Sequence, residues 1–567
     1  MADSESESDF EFEGFTDENV SDAAEKLQEK ERELDDIINN DESDIDVDED
    51  SDSDQDSDQE GSDDDDPYLA NVTAEWSRNL NDNFIPDFSE NTGPTHNLNV
   101  DANVVDYFGL FLPQSFFDSM AIETNRYAEQ RQQVTGPDPR WRPTTADEMR
   151  AYVGMIVMMG VKQLPRIWCY WSTDKRYGDP FISGVMPKTR FLKLNQYIHL
   201  RDTSDMPGRD DPDYDPLYKV RPLLDLVSKK FRKVYKPARD LSVDEAMIGF
   251  KGRVHFRQYM PAKPTKWGVK VWEVCESDTG YCSNFDVYTG RKPGGRQHGL
   301  GYDVVWNITK PFHNKNHHLY YDRFFSSVLL AEHLDMVSTY VCGTIMQNRK
   351  GLPAEIASAK LKNNGELLQM QKGNMIATSY KDKRQLTFLS TSQQPFQGQG
   401  KPTCNLNYNS HMDGVDKSDQ MRAYYPVGRA GKKWWRYLLW FVINLSIVNA
   451  HIVYTKSEKD PAPKKGYDHL AFRVDVAEQL IAGYTCRKHK AGKRVALANQ
   501  VVAPETIGHH KLEKISGRKK ICKECSVQKR RTPKGRHIET SFFCVFCDVP
   551  LCRNGCFAAY HHRNMMT

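Results

Sequence analysis

Apolar positions repeat at helical spacing through the first half of the chain and at strand spacing through its middle. Phe191, Leu192, Leu194 and Ile198 recur three and four apart after Pro187-Lys188, as do Leu217, Val220, Leu223, Leu224 and Val227, which predicts helices. MRAYVGMIVMMGV (149–161) is apolar on nearly every side and predicts a buried helix, with Asp147-Glu148 in its first turn. This helical pattern runs from Asn103 to Ser228. From Leu241 the period shortens. KVWEVCES (270–277), the turn Asp278-Thr279-Gly280 and YCSNFDVYTG (281–290) predict a β-hairpin. Leu319–Asp322 predicts a buried strand followed at once by the helix SSVLLAEHLDM (326–336), and Tyr340–Met346 a further strand. Residues 350–408 are polar, with one strand-like piece, QLTFLSTS, and read as an insertion. Residues 413–454 read as helical. Their most apolar run, Leu438–Val453, is broken by Asn444, Asn449 and His451 and is short for a bilayer, so it reads as a buried helix and no membrane partner is expected.

Charge changes the picture. The 567 residues carry a net charge of only −3, but residues 1–66 hold 31 Asp/Glu against 3 Lys/Arg, a net of −28, leaving +25 on the rest. An acidic arm so poor in aromatics predicts disorder, and its serines sit in acidic surroundings that suit acidophilic kinases. A basic body suits nucleic acid, bound through phosphate contacts and counterion release, and the arm either competes for that surface or only solubilises the chain. The acidic N-terminus offers no secretory signal, so the twelve cysteines read as reduced thiols or metal ligands rather than disulfides.

Three aspartates stand where an apolar or turn-like segment ends: Asp244 in LSVDEAMIGFKGR, Asp322 in HLYYDRFFSS and Asp416 in MDGVDKSDQM, with Asp419 one helical turn after the last. Carboxylates so far apart in sequence cannot form a local calcium loop. Brought together by a fold, they suit two hard divalent cations and phosphoryl transfer on a polyanion. Taken singly, each also reads as a helix cap or a solvated helix acid.

The order of these segments resembles the piggyBac transposase family. ETNRYAEQ (123–130), YWSTD (170–174), RPLLD (221–225), SVDEAMIGFKGR (242–253), YMPAKPTKWGVKVW (259–272), YYDRFFSS (320–327), GVDKSDQM (414–421) and a terminal Cys/His module carry the resemblance, over residues 100–567. It implies cut-and-paste transposition at TTAA targets through hairpin ends, on a ribonuclease H-like core in which Asp244, Asp322 and Asp416 hold two magnesium ions and Asp419 is an accompanying acid. It also implies double-stranded DNA partners (transposon ends and target), a homodimer and a nuclear location. The domain plan is a multidomain α/β chain. An arm and linker (1–100) lead into a helical DNA-binding or dimerisation region (101–240 and 426–460). The catalytic core (241–349 and 409–425) is split by the insertion (350–408), and a basic linker (461–505) precedes a zinc module (506–567). A domesticated DNA-binding relative without catalysis, and a RING- or PHD-like interaction adaptor, are the alternatives.

Two basic-aromatic clusters are candidates for DNA contact: Lys263, Lys266 and Lys270 around Trp267, and Arg429, Lys432, Lys433 and Arg436 around Trp434 and Trp435. Trp435 reads as core. Trp434 aligns with a family tryptophan near the carboxylates, which implies a role in DNA distortion. Cys522-x2-Cys525 and Cys544-x2-Cys547, with Cys552, Cys556, His510 and His561, supply eight ligands, the number for two tetrahedral zinc ions. Spacing leaves their pairing open, with His509 and His562 as possible substitutes. The remaining cysteines, Cys169, Cys275, Cys282, Cys342, Cys404 and Cys486, read as core or loop thiols. RKHKAGKR (487–494) and QKRRTPKGR (528–536) suit DNA binding or nuclear import.

Overall fold

The helical period of the first half is realised as α1 (Val104–Gly109), α2 (Gln114–Thr135), α3 (Ala146–Val161), α4 (Lys188–Tyr197) and α5 (Arg221–Val234). In the computed structural model, residues 75–486 are described apart from 262, 264, 291–297, 430 and 463–464, as are residues 506–565 apart from 508, 534 and 554. The acidic arm with its serines and the basic segment 487–494 lie outside the described residues. The chain divides into two units, one ending at Arg487 and one beginning at Lys488.

The Thr145 hydroxyl caps α3 by accepting the Glu148 N–H. Glu148 itself is buried and fully engaged. Arg142 (2.8 Å), Arg190 (Nε, 2.9 Å) and the Thr144 hydroxyl (2.9 Å) all donate to it. Burial alone would raise its pKa, but the Arg190 guanidinium, with Thr144 and Arg142, holds it below the ordinary carboxylate value.

The middle of the chain folds as β1 (Asp240–Gly249), β2 (Arg257–Tyr259), β3 (Trp267–Glu276), β4 (Cys282–Val287), α6 (Leu300–Thr309), β5 (His318–Tyr321), α7 (Val328–Met336) and β6 (Tyr340–Thr344). The predicted hairpin is β3–β4, turned at Gly280 with φ +73°, a left-handed value that favours glycine. β1 pairs antiparallel with β3 and parallel with β5, and β5 pairs parallel with β6.

Residues 350–408, read as an insertion, carry β7 (Leu367–Lys372), β8 (Met375–Lys381) and β9 (Gln385–Ser390). These strands continue the same sheet, in the order β2–β3–β1–β5–β6–β9–β8–β7 with β4 also on β3, nine strands in all. Their polar composition concealed them because their polar side chains are buried and paired. Gln369 donates to Thr378 (3.0 Å) and Gln371 to Asn83 (2.8 Å). The expected linker is also built in: Ser77 and Gln371 exchange two backbone hydrogen bonds of 2.9 Å, which covers the outer edge of β7.

After the sheet come α8 (Thr403–His411), α9 (Gly414–Tyr424), α10 (Trp434–Lys456) and α11 (His469–Ile481). α10 is long and apolar enough to cross a bilayer, but it is buried inside the fold. Alternation along β1 separates two cores. Leu241 and Val243 join the apolar side chains of α6 and α7 on one face. On the other, Ala246 and Ile248 join α3, α5 and α10, so the helical segments and the sheet share a core. Ser242 and Asp244 lie on this second face, where α9 packs.

Candidate active site and metal-binding module

β1 and β5 run parallel, with Asp240 opposite His318 and Ser242 opposite Tyr320. The same register carried two residues on puts Asp244 opposite Asp322, on neighbouring strands about 4.8 Å apart. Asp322 is the first residue after β5 and accepts the Phe324 N–H (2.9 Å). The third acid arrives with α9. Its Val415 N–H donates to the Ser242 hydroxyl (3.1 Å), and any side chain in place of Gly414 would collide with that hydroxyl. Helix α9 therefore sits directly on β1, with Asp416 in its first turn. Lys263, from the β2–β3 connection, reaches the same place. Its Nζ lies 3.9 Å from Asp244 and 3.5 Å from the Glu245 carboxylate, and it donates to the Glu245 carbonyl (3.0 Å).

The electrostatics follow. Burial and the neighbouring Glu245 charge push the Asp244 carboxyl up to about 8, against the pull of Lys263. Burial raises Asp322 as well, although the Phe324 N–H opposes it. Burial would lower Lys263, but Asp244, Glu245 and Asp416 together raise it. Carboxylates held toward protonation by burial and mutual repulsion are discharged by a bound divalent cation, and oxygen donors suit a hard one. Asp244 and Asp322 therefore fit the metal set expected of them, and Asp416 adds an oxygen donor from the first turn of α9. Asp419 is differently placed: Arg422, one turn further along α9, pairs with it.

The basic-aromatic candidates separate. Lys266 is exposed, and Trp267 keeps 41 % of its surface exposed beside Tyr259 (ring centroids 4.6 Å apart), with the Arg257 guanidinium 4.5 Å from its ring. Lys432 is exposed and Lys433 points to the Tyr127 hydroxyl (3.4 Å). Trp434 and Arg436, expected at DNA, are buried instead. Trp434 is 4 % exposed and packs edge-on against Phe256, while Arg436 donates to the Gln196 carbonyl (3.1 Å). They open a helix that is apolar on every side, so the fold draws them inward.

The C-terminal unit includes β10 (His510–Lys514), α12 (Lys523–Val527), β11 (Phe542–Cys544), β12 (Val549–Pro550) and α13 (Cys556–Met565), with β10, β11 and β12 in one sheet. It groups in space the ligands whose pairing spacing left open. His510, Cys544, Cys547 and His561 form one set and Cys522, Cys525, Cys552 and Cys556 the other, with the ligand atoms of each set within 4.8 Å of one another. The sets interleave along the chain, which is the cross-brace arrangement. Separations such as Cys525–Cys556 (3.4 Å) and Cys547–His510 (3.2 Å) suit tetrahedral zinc, whose sulfur ligands stand about 3.8 Å apart. The His561 Nδ1–H donates to the Phe557 carbonyl (2.7 Å), which leaves Nε2 for the metal.

A family model described as Transposase IS4 matches residues 103–451, more than half the chain and all three converging aspartates. Among characterised proteins the chain is 26 % identical over 449 residues to human PiggyBac transposable element-derived protein 5 (74 % of this chain, 83 % of that one). It is also 24 % identical over 441 residues to human PiggyBac transposable element-derived protein 3 (74 % and 70 %). The chain belongs to the piggyBac transposase family. A second model, described as a DDE_Tnp_1-like zinc finger, matches residues 505–562, so the chain carries a zinc-finger module there. Its fold resembles that of a piggyBac transposase solved by cryo-electron microscopy as a synaptic complex with hairpin DNA. The TM-score is 0.65 at 24 % identity, covering 82 % of this chain and 98 % of that one.

Three residues beside these aspartates were not singled out by the sequence pattern: Glu245, Glu273 and Arg422. Glu245 adjoins Asp244. Glu273 is an acid flanked on both sides by apolar residues of β3, a signal that was available. Arg422 lies 149 residues from Glu273, and only the fold brings it there.

Proposed function

We propose that this chain is a DNA transposase that cuts and pastes by phosphodiester hydrolysis and strand transfer, passing through hairpin ends into TTAA targets. The observation that carries the reading is the convergence of Asp244 in the middle of β1, Asp322 at the end of the parallel strand β5 and Asp416 at the start of one helix, within a transposase-family chain. The strand order β4–β3–β1–β5–β6, antiparallel through β1 and parallel beyond it, supports a ribonuclease H-like core. Two magnesium ions held by the three aspartates would neutralise charge on the attacking and leaving oxygens. Lys263 is placed to offset carboxylate charge and meet a phosphate. Lys266, Trp267 and Lys432 offer exposed cations and a ring face to the backbone and to an unstacked base.

The relative solved with hairpin DNA supports DNA ends as partners. Joining two ends to one target requires two active sites, hence a homodimer, acting in the nucleus. That the human relatives are transposable element-derived proteins keeps a domesticated, non-cutting role as the second reading. Incubating the full chain with a duplex carrying the cognate terminal repeat and magnesium tests the proposal. Nicking at the repeat boundary supports it, and binding without nicking supports the second reading.

A further inference from the structure

Asp244 on β1 stands directly opposite Glu273 on β3, so Glu273, Asp244 and Asp322 form a row across three adjacent strands on the face that α9 covers. Glu273 is fully buried. A fourth carboxylate so close would compete with Asp244 and Asp322 for a cation unless its charge were taken up. Arg422 does this. Its guanidinium lies 3.0 Å from the Glu273 carboxylate, pairs with Asp419 on its own helix and sits 4.4 Å from the Phe441 ring of α10. The Arg422 carbonyl accepts from Asn444 of α10 (3.0 Å).

Helix α9 is thus pinned at both ends. At its N-terminal end, Val415 bonds Ser242 and Lys417 donates to the Ser277 carbonyl (2.6 Å). At its C-terminal end the pin is ionic. A helix fixed at only one end can rotate, and rotation would carry Asp416 away from Asp244 and Asp322. We infer that Glu273, Arg422 and Asp419 form an ionic clamp that sets the rotation of α9 and so positions Asp416, and that Asp419 serves as the counterion of Arg422 rather than as a metal ligand. The clamp rests on the active-site reading above and deepens it. Groups that orient a metal-ligating element typically influence affinity by about 10- to 100-fold without changing how many ions bind.

The test is manganese binding, measured by electron paramagnetic resonance on the full chain in complex with duplex DNA, for wild type, Asp419→Asn, Glu273→Gln and the double variant. The clamp predicts two ions per site in every case. Each single variant should bind about tenfold more weakly, and the double variant no more weakly than the weaker single one, because both changes break one unit. Asp419 is 35 % exposed, so Asp419→Asn keeps the question open to decision even if Glu273→Gln does not fold. Loss of one ion in Asp419→Asn, or wild-type affinity in that variant, overturns the clamp while leaving the active site standing. A wild-type complex that binds no manganese overturns both.

Discussion

At Trp434 the chain's chemistry and its burial pull in different directions. Cations flank an aromatic pair, a composition that suits DNA, yet the indole is enclosed beside Phe256. Trp434→Ala should therefore cost about 3–5 kcal/mol of stability, read by denaturant unfolding, because it leaves a cavity. A loss of DNA affinity with stability unchanged would restore the DNA role. Glu148 supplies a second residue-scale prediction. Its folded pKa lies below its ordinary value, so its contribution to stability is present above about pH 4.5 and is lost as pH falls through the folded value. Glu148→Gln leaves two arginines without their counter-charge and should cost about 3–5 kcal/mol. It should also flatten the fall in unfolding free energy as pH drops below about 4.5, and an unchanged slope would contradict the assignment. Residues were legible where local pattern carried the message: Asp244 and Asp322 at the ends of apolar runs, and the paired cysteines. Trp434 and Arg422 were not, because their partners lie far away in the chain.

At the scale of elements, the alternation in β3 and the Asp278-Thr279-Gly280 turn announced the hairpin, and the apolar run of α3 announced a buried helix. Strands β7 to β9 did not announce themselves, since Gln369 and Thr378 satisfy each other and Gln371 bonds Asn83 inside the fold, which leaves a polar sequence. The pairing of metal ligands was hidden for another reason: an interleaved order has no signature in spacing. The structure now makes that pairing testable. Metal analysis should give two zinc ions per chain. Cys544→Ser should weaken only the site of His510, Cys547 and His561, and chelation should unfold the module, which draws folding energy from its metal. Loss of both ions together from Cys544→Ser, or one zinc in the wild type, would contradict two separate sites.

For the whole molecule, the charge division between a −28 arm and a +25 body is a long-range effect, so it should respond to salt. Deleting residues 1–66 should raise DNA affinity most at low ionic strength, with phosphorylation of the arm acting in the opposite sense. Equal affinity of full-length and truncated chains at every salt concentration would leave the arm only a solubilising role.

The proposed metal-dependent chemistry on DNA falls to three aspartates brought together by β1, β5 and α9. It is tested most directly by magnesium-dependent nicking of the cognate end by the wild-type chain and by Asp322→Asn, a change that keeps size and removes charge. The wild type should nick, the variant should be slower by about 10³-fold or more, as expected when a metal-ion contribution of several kcal/mol is lost, and the two should bind DNA equally. Nicking by Asp322→Asn at the wild-type rate would contradict it.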